Sequence, residues 1–170
     1  MNIKMKLPSW REFTQVFGFI MFLAYSWSII WLFYRMNSWV KTLFVSEIIL
    51  ASAYIFLNAL IEGCVVVLIP IIMSLLLPAA WFRYKFVAMS TMTVCVFSAA
   101  ILTTMLFVEH ILIWYLLFMI LAIISFLLIH RHDKLEAAIN SIIERFTIFF
   151  YIYLSIGLLS GIIVIVVNAR

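Results

Sequence analysis

Charged residues are scarce in this 170-residue sequence: they make up only 11% of it, whereas 68% of the residues are hydrophobic. Soluble globular domains have about 25% charged and about 45–50% apolar residues. The composition therefore excludes an ordinary soluble domain and indicates an integral membrane protein. Glycine and proline are also scarce, with four and three residues, so few positions favour a break in a helix.

Cysteine is nearly absent, with only Cys64 and Cys95 in the chain. Cys64 lies at a predicted turn, whereas Cys95 lies deep inside a predicted span. At 1.5 Å of rise per residue, the two differ in depth by more than the roughly 7 Å that a disulfide tolerates between α-carbons. We therefore expect two packing residues and no disulfide.

Motifs for catalysis and metal binding are missing as well. No His or Cys recurs with a carboxylate at metal-ligand spacing, and there is neither a phosphate-binding loop nor a nucleophile motif. His110 lies at one predicted membrane face and His130 and His132 at the other, so no pair can hold one haem iron. The sequence predicts no catalytic residue, no metal and no cofactor.

Long apolar runs dominate what is present. A helix needs about 20 apolar residues to cross a bilayer core of about 30 Å, and six runs approach that length. They cover residues 13–34, 40–61, 64–82, 86–108, 111–129 and 146–167. We predict an all-α polytopic bundle of about six transmembrane helices, with residues 1–170 forming a single transmembrane domain. The first run is too long for the core of a signal peptide and lacks a cleavage site, so we interpret it as a retained span.

Two topologies are compatible with the basic residues. With six crossings, seven Lys and Arg lie on one side and four on the other. The positive-inside rule then places both termini outside the cytoplasm. If the region Thr42–Phe82 crosses only once, with part of it re-entrant, the count becomes eight against three. We prefer six crossings, because Gly63 after Glu62 predicts a tight turn between two spans.

Residues 130–145 form an amphipathic segment between the last two spans. Asp133 and Glu136 match a capping box, and four apolar residues follow at helical spacing, which predicts a helix lying at the membrane interface. An ordinary solvated helix face is the alternative. The basic residues expected to contact lipid head groups are Arg83, Lys85, Arg131, Lys134 and Arg145.

A polar stripe crosses the second apolar run. Its members, spaced by four or seven residues so that they share one helix face, are Glu47, Tyr54, Asn58 and Glu62. Ionisable groups inside spans usually face protein, a partner or a watery path. Hydrogen bonding to neighbouring helices, an ion path and contact with a partner subunit all remain open. We expect Glu47 to lie deepest and Glu62 to reach the interface.

Small residues predict close helix packing in two later spans. Ala88, Thr91, Cys95 and Ser98 form one face of the fourth run. Gly157 and Gly161 form a GxxxG motif, which permits close backbone approach. Whether these faces meet helices of the same chain or of another chain is open.

These features favour a non-catalytic multi-pass membrane subunit, or an anchor or assembly component of a larger complex. The expected partners are membrane lipids and a membrane protein or a second copy of the chain, and no nucleic acid. The alternative is a small transporter or transporter component using Glu47. By its span count, the chain also resembles the N-terminal membrane anchors of lipoteichoic-acid-synthase-like head-group transferases, which implies an anchor role. We expect residence in the bacterial cytoplasmic membrane.

Overall fold

The computed structural model describes residues 7–79, 81–106 and 111–169. Within these ranges the chain is almost entirely helical. The helices are α1 (Trp10–Thr42), α2 (Val45–Leu76), α3 (Phe86–Leu106), α4 (Ile111–Arg131), α5 (Asp133–Glu144) and α6 (Thr147–Asn168). Among the described residues, five helical runs are long and apolar enough to cross a membrane, and the fifth of them contains α6. The chain is therefore built as a helical membrane protein.

The first helix begins with a capping box. The backbone N–H of Ser9 donates to a carboxylate oxygen of Glu12 at 2.7 Å, and the N–H of Glu12 donates to Ser9 Oγ at 3.4 Å. These reciprocal bonds satisfy donors that the start of a helix leaves free. With 33 residues, α1 is longer than the predicted span 13–34. At 1.5 Å per residue it measures about 50 Å.

The second helix corrects the predicted division into two spans. We expected one span at 40–61 and another at 64–82, with a turn at Glu62 and Gly63, but α2 is a single helix of 32 residues. Gly63 does not adopt a positive φ. A Cβ atom on Gly63 would lie 2.6 Å from Met21 Sδ, so this glycine accommodates a neighbouring side chain and does not end the helix.

The chain divides into two compact units. The first, here named the α1–α2–α6 unit, contains Phe17–Val67 and the segment from Phe146 onwards. The second, here named the α3–α4–α5 unit, contains Leu68–Arg145 and the chain up to Val16. It therefore includes the start of α1 and the end of α2.

Aromatic side chains form the core of the α1–α2–α6 unit. Tyr25 is fully buried and stacks on the rings of Phe56 and Tyr153, with centroid distances of 5.8 and 4.5 Å. The ring of Phe22 lies 4.9 Å from that of Phe149. Contacts between α1 and α6 thus advance together in residue number, which makes these two helices parallel.

Contacts between α2 and α6 run in opposite senses along the chain. Gly157 meets Leu60, whereas Gly161 meets Leu57. This pairing makes α2 antiparallel to α6 and therefore to α1. When the first and the last crossing point in the same direction, the number of crossings is odd. In the described part of the chain, five helical runs are long and apolar enough to cross, against the six that we preferred, and α2 is one uninterrupted helix.

The α5 helix lies in the predicted amphipathic segment but starts differently from the prediction. Its N-cap residue is His132, which makes no side-chain capping bond. Asp133 and Glu136 do not form the predicted capping box, because both carboxylates bind Lys85 Nζ at 2.9 Å. On the apolar side of α5, Ile143 is buried, whereas Ile142 is 57% exposed.

Candidate functional site

The polar stripe on α2 does not lie as deep as predicted at its first residue. Glu47 is in the first turn of α2 and is exposed. One of its carboxylate oxygens accepts a hydrogen bond from the backbone N–H of Phe44 at 2.8 Å. This is the glutamate half of a capping box. Glu47 therefore stabilises the start of the helix and does not sit seven residues inside a span.

Glu62 lies level with the middle of α6. Leu60, half a turn before it, packs on Gly157 in the middle of α6. The 22 residues of α6 span about 33 Å, close to the thickness of a bilayer core of about 30 Å. Because two residues add only about 3 Å along the helix axis, Glu62 is level with the middle of a helix that is long enough to cross a bilayer.

Glu62 and Asn58 are both exposed on the surface of the chain. They lie one helical turn apart on α2, beside exposed apolar residues such as Val65, which is 59% exposed. Neither side chain has a hydrogen bond or an ion pair with any part of the chain that the structure describes. In the described chain, the structure thus brings an unpaired carboxyl group and an unpaired carboxamide together on one apolar helix surface, level with the middle of α6.

Tyr54 continues the same stripe towards the end of α6. Its hydroxyl oxygen accepts a hydrogen bond from Asn168 Nδ2 at 2.6 Å. Asn168 is the last residue of α6, so this bond fixes the end of that helix against α2. Of the predicted stripe, Glu47 and Tyr54 therefore have partners within the chain, whereas Asn58 and Glu62 do not.

The residues predicted for helix packing differ in how closely they pack. Gly157 is buried, and a Cβ atom there would lie 2.5 Å from Tyr25 Oη and 2.7 Å from Leu60 Cδ2. A Cβ atom on Gly161 would meet only Leu57 Cδ1, at 3.5 Å. On α3, the small residues at the start of the face are buried and the later ones half-buried: Ala88 and Thr91, then Cys95 and Ser98.

Two of the basic residues predicted to contact lipid head groups make ion pairs inside the α3–α4–α5 unit. Arg83 Nη1 lies 2.9 Å from Glu12 Oε1. Lys85 binds Asp133 and Glu136, and its ammonium group also donates to the carbonyl oxygen of Ile129 at 3.0 Å. These carboxylates, Asp133 first, raise the pKa of Lys85 above its ordinary value. The other three predicted head-group residues, Arg131, Lys134 and Arg145, are exposed.

These ion pairs bring three segments of the α3–α4–α5 unit together. Glu12 at the start of α1 meets Arg83 in the connection before α3, and Lys85 in that connection meets α5. The start of α1, the 83–85 connection and α5 therefore lie at one end of this unit. A topology with five crossings would put these segments on one membrane side, because two helices separate the first segment from the second and two more separate the second from α5.

A polar cavity of about 430 Å³ lies among these three segments. Its polar lining includes Glu12, Gln15, Lys85, Asn140, Ser141 and Glu144. Arg11 forms an ion pair with Glu144 at the exposed side of this group. The sequence had marked the charges of the 83–85 connection and α5, but it had not indicated Gln15 or Asn140. Ser9 and Glu12 match a capping-box pattern that is readable in the sequence.

The histidines and cysteines do not assemble with carboxylates in the described ranges. No group of three or more His, Cys, Asp and Glu residues is close enough there to hold a metal ion. Cys64 and Cys95 are free thiols. His110 lies outside the described residues, so the haem argument from the sequence stays a prediction.

The long apolar helices of the described chain define the class of the protein as a polytopic helical membrane protein. No protein-family model, curated protein sequence or solved structure matches the chain. The function must therefore be argued from the residues themselves.

Proposed function

We propose that this chain is a non-catalytic subunit of a membrane protein complex and that it assembles through the Asn58–Glu62 face of α2. The observation that supports this proposal is the exposed position of Glu62, level with the middle of α6. An acidic side chain at the centre of a membrane helix costs about 2.5–3.5 kcal/mol on insertion scales. A partner helix that hydrogen-bonds the carboxyl group would offset this cost.

Asn58 strengthens the case for a protein partner. A carboxamide can donate and accept hydrogen bonds, and polar side chains of this kind connect helices within membranes. Asn58 and Glu62 offer two such groups one turn apart, next to the apolar surface around Val65. A helix with polar groups at matching spacing would satisfy both at once.

A transporter using Glu47 has less support. Glu47 caps the first turn of α2 and lies about 22 Å along the helix from Glu62, at 1.5 Å per residue. An ion path through the membrane would need polar groups at several depths inside a bundle. The unpaired groups of α2 are instead on its outer surface.

Charge counting supports a definite orientation for the proposed subunit. The five-crossing arrangement places eight Lys and Arg on the side of the N-terminus and three on the opposite side. The positive-inside rule then assigns the N-terminal side to the cytoplasm. We propose the bacterial cytoplasmic membrane as the location of the complex.

Photo-cross-linking in intact membranes tests the assembly surface. A photoreactive residue at position 65 lies on the same helix face as Asn58 and Glu62, and one at position 116 on α4 lies on an equally exposed apolar surface. We expect position 65 to give a protein adduct, and position 116 to give none. Glu62→Leu should abolish the adduct, whereas Glu62→Gln should retain it because the amide still forms hydrogen bonds.

The adduct mass distinguishes the possible partners, because a second copy adds 19.8 kDa and another protein adds its own mass. Lipid adducts alone at position 65, in membranes where the chain is correctly folded, would rule out the proposed assembly surface.

A further inference from the structure

The polar cavity of the α3–α4–α5 unit contains two carboxamide side chains without partners. Gln15 is only 8% exposed, and its side chain makes no hydrogen bond with the described part of the chain. Asn140 Oδ1 is buried and likewise has no partner there. Leaving a buried polar atom unsatisfied costs free energy. Asn140 Oδ1 is such an atom, and the Gln15 side chain lines the same cavity, so the two together indicate a polar ligand.

Charges of both signs surround the cavity. They differ in their exposure and in the number of their ion-pair partners. Lys85 is occupied by two carboxylates and by backbone carbonyl oxygens. The pair between Arg11 and Glu144 is different, because their side chains are 76% and 55% exposed. Exposed ion pairs contribute little to stability. A ligand with one anionic and one cationic group can therefore replace this pair with two new pairs at little cost.

The depth of the cavity identifies where such a ligand would come from. It lies at the start of α1 and of α3, where apolar spans end. Trp10 and Tyr84 beside it are 69% and 77% exposed, and these residue types concentrate at the level of lipid head groups. A volume of about 430 Å³ lies within the range of about 300–1,000 Å³ that small-molecule sites occupy.

We propose that this cavity binds the phosphoethanolamine head group of a phospholipid. The primary ammonium group donates hydrogen bonds to the side-chain oxygens of Gln15 and Asn140 and pairs with Glu144. The phosphate pairs with the guanidinium group of Arg11, which offers several donors in a planar fork. A primary ammonium group has three N–H donors, as lysine does, whereas the quaternary ammonium of choline has none. The site should therefore distinguish ethanolamine from choline lipids.

Native mass spectrometry of the full chain tests this selectivity. The protein is purified in detergent and titrated with phosphatidylethanolamine or phosphatidylcholine that carry identical acyl chains. We expect about tenfold tighter binding of the ethanolamine lipid, a ratio that corresponds to about 1.4 kcal/mol. One hydrogen bond from a charged donor supplies that much.

Two variants and a matched control connect the selectivity to the cavity. Gln15→Leu and Asn140→Leu should each bring the ethanolamine lipid to the affinity of the choline lipid. Asn37→Leu removes an exposed carboxamide at the other end of α1 and should leave the preference unchanged. Thermal unfolding of each variant shows whether it folds. If Gln15→Leu fails to fold, the Asn140→Leu variant, whose substitution is on α5, tests the proposal by itself.

Equal binding of the two lipids by the unmodified chain would overturn the proposal, and so would a preference that survives in a folded Asn140→Leu variant. A further titration measures the binding of soluble phosphoethanolamine. If it binds as tightly as the ethanolamine lipid, the site recognises a free compound and the assignment to a lipid is wrong. Weaker binding of the soluble compound supports the lipid. All these readouts are independent of the proposed assembly through α2.

Discussion

Single residues on the same helix face serve different purposes in this chain. Gly157 and Gly161 form one GxxxG motif, yet only Gly157 is pressed against neighbouring side chains. Glu47 and Glu62 belong to one stripe, yet Glu47 caps a helix and Glu62 has no partner in the described chain. A shared face therefore does not imply a shared role, and each residue needs its own test.

Alanine substitutions should separate the two glycines. Alanine favours a helix over glycine by about 1 kcal/mol at either position, so the difference between the variants reports packing alone. Gly157→Ala places a Cβ atom 2.9 Å from Leu60 Cβ, whereas Gly161→Ala makes only ordinary contact with Leu57. Overpacking costs about 1–3 kcal/mol. We expect Gly157→Ala to unfold at a lower temperature than Gly161→Ala in detergent. Equal melting temperatures would show that Gly157 is not tightly packed.

The capping bond of Glu47 gives a second prediction at this scale. Glu47→Ala removes the acceptor for the backbone N–H of Phe44, and loss of a helix cap costs about 0.5–2 kcal/mol. Glu47→Gln keeps an oxygen acceptor and should cost less. Thermal unfolding of the two variants measures the difference. If both variants lost an ion-coupled transport activity while remaining stable, the transporter hypothesis would displace the capping role.

At the scale of elements, one lysine connects α5 to the segment before α3. Lys85, whose side chain is only 15% exposed, connects the segment before α3 to two carboxylates on the first turn of α5. The helix itself has only 12 residues, a length at which isolated helices are marginal in water. Its order therefore depends on contacts with the rest of the α3–α4–α5 unit.

Removing the Lys85 ammonium group should loosen α5. In Lys85→Met the apolar stem is largely preserved, but Glu136, which is 21% exposed, loses its charged partner. Hydrogen bonds to charged groups contribute about 1.5–3 kcal/mol. We expect faster hydrogen exchange of the α5 backbone and a lower melting temperature. Lys134→Met is the matched control, because Lys134 is exposed and makes no ion pair within the described residues. Similar exchange in both variants would contradict this account.

At the scale of the whole molecule, three of the predicted apolar runs coincide with helices of the structure. The runs 86–108, 111–129 and 146–167 correspond to α3, α4 and α6. Apolar length decides these elements, because backbone polar groups in lipid must be paired within the helix. The same requirement explains why α2 continues through Gly63 and Pro70.

The predicted boundary between two spans was wrong because a glycine can either end a helix or make room for a neighbouring side chain. Gly63 was interpreted as a turn, but its missing side chain serves contact with Met21. The error carried over to the stripe, because dividing α2 moved Glu62 to an interface and Glu47 to the interior. The pairing of Glu12 with Arg83 joins residues far apart in sequence, and no local pattern reveals it. The polar cavity likewise joins segments far apart in sequence and was therefore not predictable either.

The number of crossings can be measured by cysteine labelling in intact cells. In a background without Cys64 and Cys95, single cysteines are placed by Asn37→Cys near the end of α1 and by Ser141→Cys on α5, both at exposed positions. With five crossings and the N-terminus in the cytoplasm, a membrane-impermeant maleimide should label position 37 from outside and position 141 only after permeabilisation. With six crossings, both positions would be cytoplasmic and neither would react in intact cells. Labelling of position 141 alone from outside would keep five crossings but reverse the orientation that the eight-to-three distribution of Lys and Arg predicts.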